Sequence, residues 1–170
     1  MAVYYLSTYN IGLKLRTFRG KEIEKKLKKL LPNGHFSNVS ITRSRTMSKI
    51  RGHNNATTEK RFRFSLVGHG IKGWAIQPKD IIGKPDIYFN RKKIAVFLDG
   101  CFWHGCPKCG HYPKTNSKFW KTKILRNKER DNEKRRLLKK KGIKVVRYWE
   151  HQIINDLDRC ISKLSEIFNR

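Results

Sequence analysis

Ile94-Ala95-Val96-Phe97-Leu98 is an unbroken apolar run between the charged turn Asn90-Arg91-Lys92-Lys93 and Asp99-Gly100. Such a run predicts a central strand covered on both faces. Two shorter apolar runs, Trp74-Ala75-Ile76-Gln77 and Asp86-Ile87-Tyr88-Phe89, flank a turn bearing Pro and Gly and predict two strands ahead of it. Ile143-Lys144-Val145-Val146-Arg147-Tyr148-Trp149 predicts a fourth. Elsewhere the spacing is helical. Ala56-Thr57-Thr58-Glu59 opens a pattern in which Phe62, Leu66 and Val67 share a face and Gly68 or Gly70 ends it. Residues 117 to 141 are charged and Pro-free, with Gly142 as the stop, and Ile153 to Phe168 repeats apolar residues at helical spacing. The order helix, three strands, helix, strand, helix predicts an α/β or α+β domain, with one mixed central sheet flanked by helices.

Ahead of this pattern, residues 1–41 form an N-terminal extension of unknown role. Val3 to Tyr9 alternates loosely like a strand, and Lys21 to Leu31 carries Ile23, Leu27, Leu30 and Leu31 on one helical face before Pro32. Thr42 to Asn55 is a polar, basic arm whose sizeable apolar residues are Met47 and Ile50. At 170 residues the chain suits one domain, or one domain with an appendage.

Charge narrows the class. Forty Lys and Arg against 13 Asp and Glu give +27, far more than solubility requires and a field suited to a polyanion such as nucleic acid. No stretch has the run of apolar residues that a membrane span needs. The first residues lack the basic segment and cleavage site of a signal peptide, so an intracellular setting with reduced thiols, cytoplasmic or nucleoid-associated, is expected.

Under those conditions the segment Gly100 to His111 stands out, because it holds three of the four cysteines and two of the six histidines. Thiolate and imidazole are the ligands tetrahedral Zn²⁺ prefers. Cys106-Pro107-Lys108-Cys109-Gly110 has the spacing of a zinc knuckle, Cys101 lies five residues upstream, and the fourth ligand is His111 or His151. Cys160 falls in an amphipathic helix and reads as core.

Three further features bear on chemistry. Gly83-Lys84-Pro85-Asp86 puts a carboxylate where a turn becomes a strand, and the next strand ends at Asp99. This layout holds Mg²⁺ in many DNA-cutting domains, although a carboxylate capping a turn looks the same. Lys123, Asn127 and Asp131 recur every four residues on one helix face, where Asp131 serves as an ion-pair partner or as the orienting group of a histidine. Phe102-Trp103 are either core residues or a wedge of the kind that unstacks base pairs, and Met47 in the basic arm is a candidate second wedge.

Taken in order, several motifs resemble the very-short-patch-repair (Vsr) DNA mismatch endonucleases. They are Thr42-Arg43-Ser44-Arg45-Thr46-Met47, Thr58-Glu59-Lys60-Arg61, Gly83-Lys84-Pro85-Asp86, Asp99-Gly100-Cys101-Phe102-Trp103-His104, Phe119-Trp120, Asn127-Lys128-Glu129-Arg130-Asp131 and Trp149-Glu150-His151. The resemblance implies a restriction-endonuclease-like core over residues 42–170, a structural zinc, and Mg²⁺-dependent nicking of double-stranded DNA at a T·G mismatch, with mismatch-repair proteins as further partners. It implies Asp86 as the Mg²⁺ ligand, His104 as general base with Asp131 beside it, and Glu59 as an additional acidic residue. Met47, Phe102 and Trp103 correspond to the wedge, and Lys123 and Asn127 to residues near the mismatched base. Cys101, Cys106, Cys109 and His151 correspond to the zinc ligands, with His111 as the alternative. Asp99 stands where some members have a second histidine, either binding metal or replacing that role. Relatives that act as restriction-linked or homing nucleases leave sequence-specific cleavage open, and a zinc-braced DNA-binding module without catalysis is the non-enzymatic alternative.

Overall fold

A computed structural model describes residues 20–31, 42 and 56–169. The expected strand at residues 3–9 and the basic arm from residue 43 to 55, with Met47, lie outside the described residues. The first described helix, α1, covers residues 20–30. A π-helical turn, Ala56–Lys60, then leads into α2 (Arg61–Gly68). Strands β1 (Trp74–Ile76), β2 (Ile87–Phe89) and β3 (Ile94–Asp99) follow. After the Cys-rich loop come α3 (Ser117–Lys140), β4 (Lys144–Trp149), α4 (Glu150–Asn155) and α5 (Leu157–Phe168).

The strands form one mixed sheet in the order β1-β2-β3-β4. The first two pairings are antiparallel and β3 pairs parallel with β4. A parallel pair needs a long crossover, and the charged segment of residues 117–140 supplies it as a helix. As the apolar run predicted, β3 is an inner strand.

Side-chain alternation divides the sheet into two faces. On one, Ile87, Phe89, Ile94, Val96, Val146 and Tyr148 pack with Phe62 and Leu66 of α2 and Ile161 and Leu164 of α5. Cys160 is buried in the same core, as expected. On the other face Tyr88, Ala95, Phe97 and Val145 meet Leu138 of α3 and Ile143. Each fully buried Leu, Ile or Phe contributes about 1.5–3 kcal/mol relative to exposure.

Two expectations need correction. Val67 is 64% exposed, so the buried stripe of α2 is Phe62 and Leu66. The expected helix from Ile153 to Phe168 is two helices broken at Asp156, whose backbone leaves the helical region (φ −153°, ψ 67°). The Asp156 carboxylate accepts from the Arg159 amide at 3.2 Å and so caps α5. Ile153 and Ile161 enter the same core on either side of the break, which hides it from periodicity. The stop at Gly142 is as read: its φ of +68° closes α3, with the Ile143 amide donating to the Leu138 carbonyl at 3.0 Å.

Candidate active site and metal centre

The same alternation that faces Ala95 and Phe97 toward α3 also faces Asp99 that way. In β4 it does so for Arg147, the pair partner of Phe97. Asp86, one residue before β2, follows Tyr88 toward the same side, and its Oδ2 accepts from the Leu98 amide at 2.8 Å. The C-terminal ends of β3 and β4 therefore present acidic and basic side chains to α3, which carries Asp131.

These groups converge on His104. Its Nδ1 lies 2.5 Å from Asp131 Oδ2 and 3.7 Å from Asp99 Oδ1. With carboxylates facing Nδ1, the ring proton belongs there and donates to Asp131, which leaves Nε2 with the lone pair. Arg147 joins the two acids, donating from Nε to Asp99 Oδ2 at 2.5 Å and from Nη2 to Asp131 Oδ2 at 3.1 Å. Burial works against the Asp131 charge, yet the bonds from His104 and Arg147 hold its carboxyl below the usual range. Burial likewise opposes the Arg147 charge, and Asp99 and Asp131 outweigh it.

Asp86 behaves oppositely. Desolvation, with Glu59 and Asp99 nearby, pushes its carboxyl from 3.8 to about 6 against the bond from Leu98. Glu59 is itself buried, and Gln77 Nε2 donates to its Oε2 at 3.4 Å. Mutually repelling carboxylates offering hard oxygen donors fit a divalent cation such as Mg²⁺, whose charge relieves both the burial and the repulsion.

Softer donors gather a few residues along the loop. Cys101, Cys106, Cys109 and His151 bring their ligand atoms within 4.8 Å of one another. His151 Nδ1 lies 3.2, 3.6 and 3.4 Å from the three sulfurs, in that order. A tetrahedral Zn²⁺ with ordinary Zn–S and Zn–N bonds puts S and N about 3.5 Å apart, so the donor set and its spacing fit zinc. His111 is not in the group; its ring lies 6.0 Å from that of Phe102. The turn is tight: a Cβ on Gly110 would collide with the Cys106 carbonyl oxygen, so only glycine fits there. Glu150 Oε2 accepts from the Cys101 amide at 3.1 Å, a second tie across the same gap.

Phe102 and Trp103 are half-buried and stack edgewise at 5.0 Å, with Trp120 of α3 5.3 Å and 6.0 Å from their respective rings. Asn127 is buried; its Nδ2 donates to the Trp103 carbonyl at 2.9 Å and its Oδ1 accepts from Arg130 Nη2 at 2.8 Å. Lys123 is half-buried one turn earlier on α3. Of the residues expected from sequence, the structure thus brings together Asp99, His104 and Asp131, with Asp86 beside β3 and Glu59 toward it. Met47, expected as a wedge, lies outside the described residues. Arg147, Gln77 and Glu150 were missed. A charged residue between Val146 and Tyr148 of a strand buried at those positions was the signal available for Arg147.

Residues 38–109 match the family model described as DNA mismatch endonuclease Vsr. The chain is 37% identical over 123 residues to the type II nicking enzyme V.NmeAIP of Neisseria meningitidis, covering 71% of this chain and 86% of that protein. It is 34% identical over 111 residues to the DNA mismatch endonuclease Vsr of Escherichia coli, covering 64% and 69%. With the type II nicking enzyme V.NaeI of Lentzea aerocolonigenes it shares 49% identity over 73 residues; that match spans 43% of this chain and under half, 44%, of the relative.

Two outcomes are expected. Metal analysis of purified protein should give about one zinc per chain, lowered by His151→Ala and unchanged by His111→Ala. Asp86→Asn should stabilise the protein by about 2 kcal/mol at pH 8 without added divalent cations. Because the folded state binds the Asp86 proton more tightly than the unfolded chain, the ionised carboxyl costs stability above about pH 6 and nothing below the unfolded value of 3.8. The gain in denaturation midpoint should therefore vanish by about pH 4.

Proposed function

The chain belongs to the DNA mismatch endonuclease Vsr family, and from that premise we propose that it is a DNA endonuclease that hydrolyses one phosphodiester bond of a duplex beside a T·G mismatch. The observation that carries the reading is the His104–Asp131 pair set beside a buried acidic cluster at the ends of β2 and β3. The restriction-endonuclease-like fold of the family is the helix-flanked mixed sheet described above.

Asp86 would hold Mg²⁺, and Glu59 and Asp99 add negative field around it. When bound, the ion supplies charge stabilisation at the scissile phosphate. The protein's own residues manage the proton. Asp131 fixes the His104 ring with its hydrogen on Nδ1, so Nε2 accepts a proton from water as the water oxygen bonds to phosphorus and the P–O bond to the leaving oxygen breaks. Phe102 and Trp103, on a loop braced by the Cys₃His group and by Asn127, enter the duplex as a wedge beside the lesion. Met47 of the basic arm serves as a second wedge, and Lys123 and Asn127 lie near the mismatched base. The excess of positive charge supplies affinity for phosphates without sequence preference.

Several relatives are named type II nicking enzymes, which supports cleavage of a single strand and gives a second reading weight: nicking tied to a recognition sequence. Cleavage of matched, T·G and other mismatched duplexes with Mg²⁺ separates the two. The proposal expects nicks beside T·G, with Asp86→Asn and His104→Ala each lowering kcat about 10³-fold. Equal nicking of matched duplex would replace mismatch recognition with sequence recognition. Absence of Mg²⁺-dependent cutting on every substrate would leave a zinc-braced binding module.

A further inference from the structure

We propose that Arg147 is a positioning residue of the active site, a guanidinium fork that sets Asp99 and Asp131 around His104 Nδ1. Its two bonds, to Asp99 Oδ2 and to Asp131 Oδ2, reach different elements: one acid ends β3 and the other stands on α3. A planar guanidinium fixes the angle between its N–H vectors, so it fixes the two carboxylates relative to each other as well as to itself. Asp131 Oδ2 is then shared by Arg147 and His104, and Asp99 turns its other oxygen, Oδ1, toward the same ring nitrogen at 3.7 Å. Remove the fork and two negative carboxylates, both largely buried, face each other across an imidazole with nothing to hold them apart at a set distance.

The arrangement also assigns Asp99. Its Oδ2 is committed to Arg147, so the carboxylate belongs to the positioning frame of His104, and the position does not need a second histidine. The placement of Arg147 follows from strand pairing. It lies opposite Phe97, two residues before the Asp99–Trp149 pair, and its side chain lies along β4 toward the strand ends with 26% of its surface exposed.

The inference rests on the nuclease reading for its kinetic test and on the geometry alone for its spectroscopic one. In single-turnover nicking of the T·G duplex, Arg147→Met should lower kcat about 10²-fold with KM and duplex affinity little changed, as expected when a catalytic group is displaced. Arg147→Lys keeps the charge but not the fork, and should recover about a tenth of the lost rate. Independently of any cleavage, the downfield Nδ1–H proton resonance of His104, identified by its loss in His104→Gln, should be present in the unsubstituted protein and lost in Arg147→Met. A kcat within about threefold of the unsubstituted protein, or a fall in duplex affinity matching the fall in rate, would overturn the proposal. Should Arg147→Met not fold with its zinc, Arg147→Lys decides: a depressed kcat at unchanged KM supports it, and an unchanged kcat or a raised KM sinks it. If no duplex is cut at all, the nuclease reading fails and the proton resonance still tests the fork.

Helix α1 precedes the region matched by the family model and carries a second inference independently. At 3.6 residues per turn, Ile23, Leu27 and Leu30 share a side with Gly20 and Glu24, and these apolar residues are half-buried. Glu24 is engaged with Arg126 of α3, accepting from Nη2 at 2.9 Å and from Nε at 3.3 Å. Lys21, Lys25, Lys26, Lys28 and Lys29 are all exposed on the remaining arc, where the acidic residue is Glu22. With one acid turned to Arg126, the outward face is strongly cationic and held beside the segment of α3 that carries Trp120 and Asn127. From this we infer that α1 is an arm that binds duplex phosphates outside the cleavage site, resting on duplex DNA as the ligand. Binding to a matched duplex without divalent cations should show it. Changing the five lysines together to Gln should flatten the slope of log K against log salt by about 0.9 for each phosphate no longer neutralised. Changing Lys72, Lys139, Lys141, Lys144 and Lys163 to Gln should leave the slope near its original value. An unchanged slope in the first variant, or equal flattening in both, would overturn it.

Discussion

The parallel register of β3 and β4 is the constraint on which the site depends. Asp99 stands opposite Trp149, so the chains leaving the two strands run side by side, and Cys101 and His151 each sit two residues beyond that pair. One end of the Cys₃His group therefore comes from each strand. The same register sets Arg147 opposite Phe97, with its guanidinium beside Asp99. A slip of one residue would turn Arg147 into the Phe62–Leu164 core and Tyr148 toward α3. The Cys₃His group and the cluster around His104 would be lost together, because both are read off one ladder.

Electrostatics divide the site into two halves of different character. Around His104 both carboxylates have hydrogen-bond donors, Arg147 to Asp99 and Arg147 with the imidazole to Asp131, and the Asp131 carboxyl is held low despite its burial. Around Asp86 burial is the largest influence, the neighbouring acids add to it, and the carboxyl is raised to about 6. Carboxyls perturbed in this way cluster at functional sites. The fold thus holds one carboxyl low and its neighbour across the site high.

The fold was legible because each strand and helix carried its own period. The apolar run at Ile94–Leu98 announced an inner strand, and the charged, Pro-free segment ending at Gly142 announced the crossover. Residues 153–168 misled because the core continues across the break at Asp156, and periodicity registers burial rather than backbone angles. At the site, the three thiols were legible by spacing, whereas spacing left His111 and His151 open and the family resemblance favoured His151, since groups 45 residues apart such as Cys106 and His151 meet only through strand pairing. Arg147 was hidden for the same reason. Its partners lie 48 and 16 residues away, and no local pattern links them.

In the proposed reading, rigidity explains why three of the candidate zinc ligands, the aromatic pair and His104 share so short a loop. Unstacking a base step costs about a few kcal/mol, so a wedge that can swing aside yields before the duplex does. In the proposed reading Phe102 and Trp103 resist because Cys101 precedes them, Cys106 follows them and Asn127 holds the carbonyl of Trp103. His104 comes next in the chain and inherits that fixity, with Asp131 as its outer support. Displacing the duplex and aiming the imidazole are then two results of one braced turn. A residue that loosens the turn should disturb both, whereas a residue acting on the carboxylates alone disturbs only the second. Arg147 touches the carboxylates and none of the wedge, which places it in the latter class.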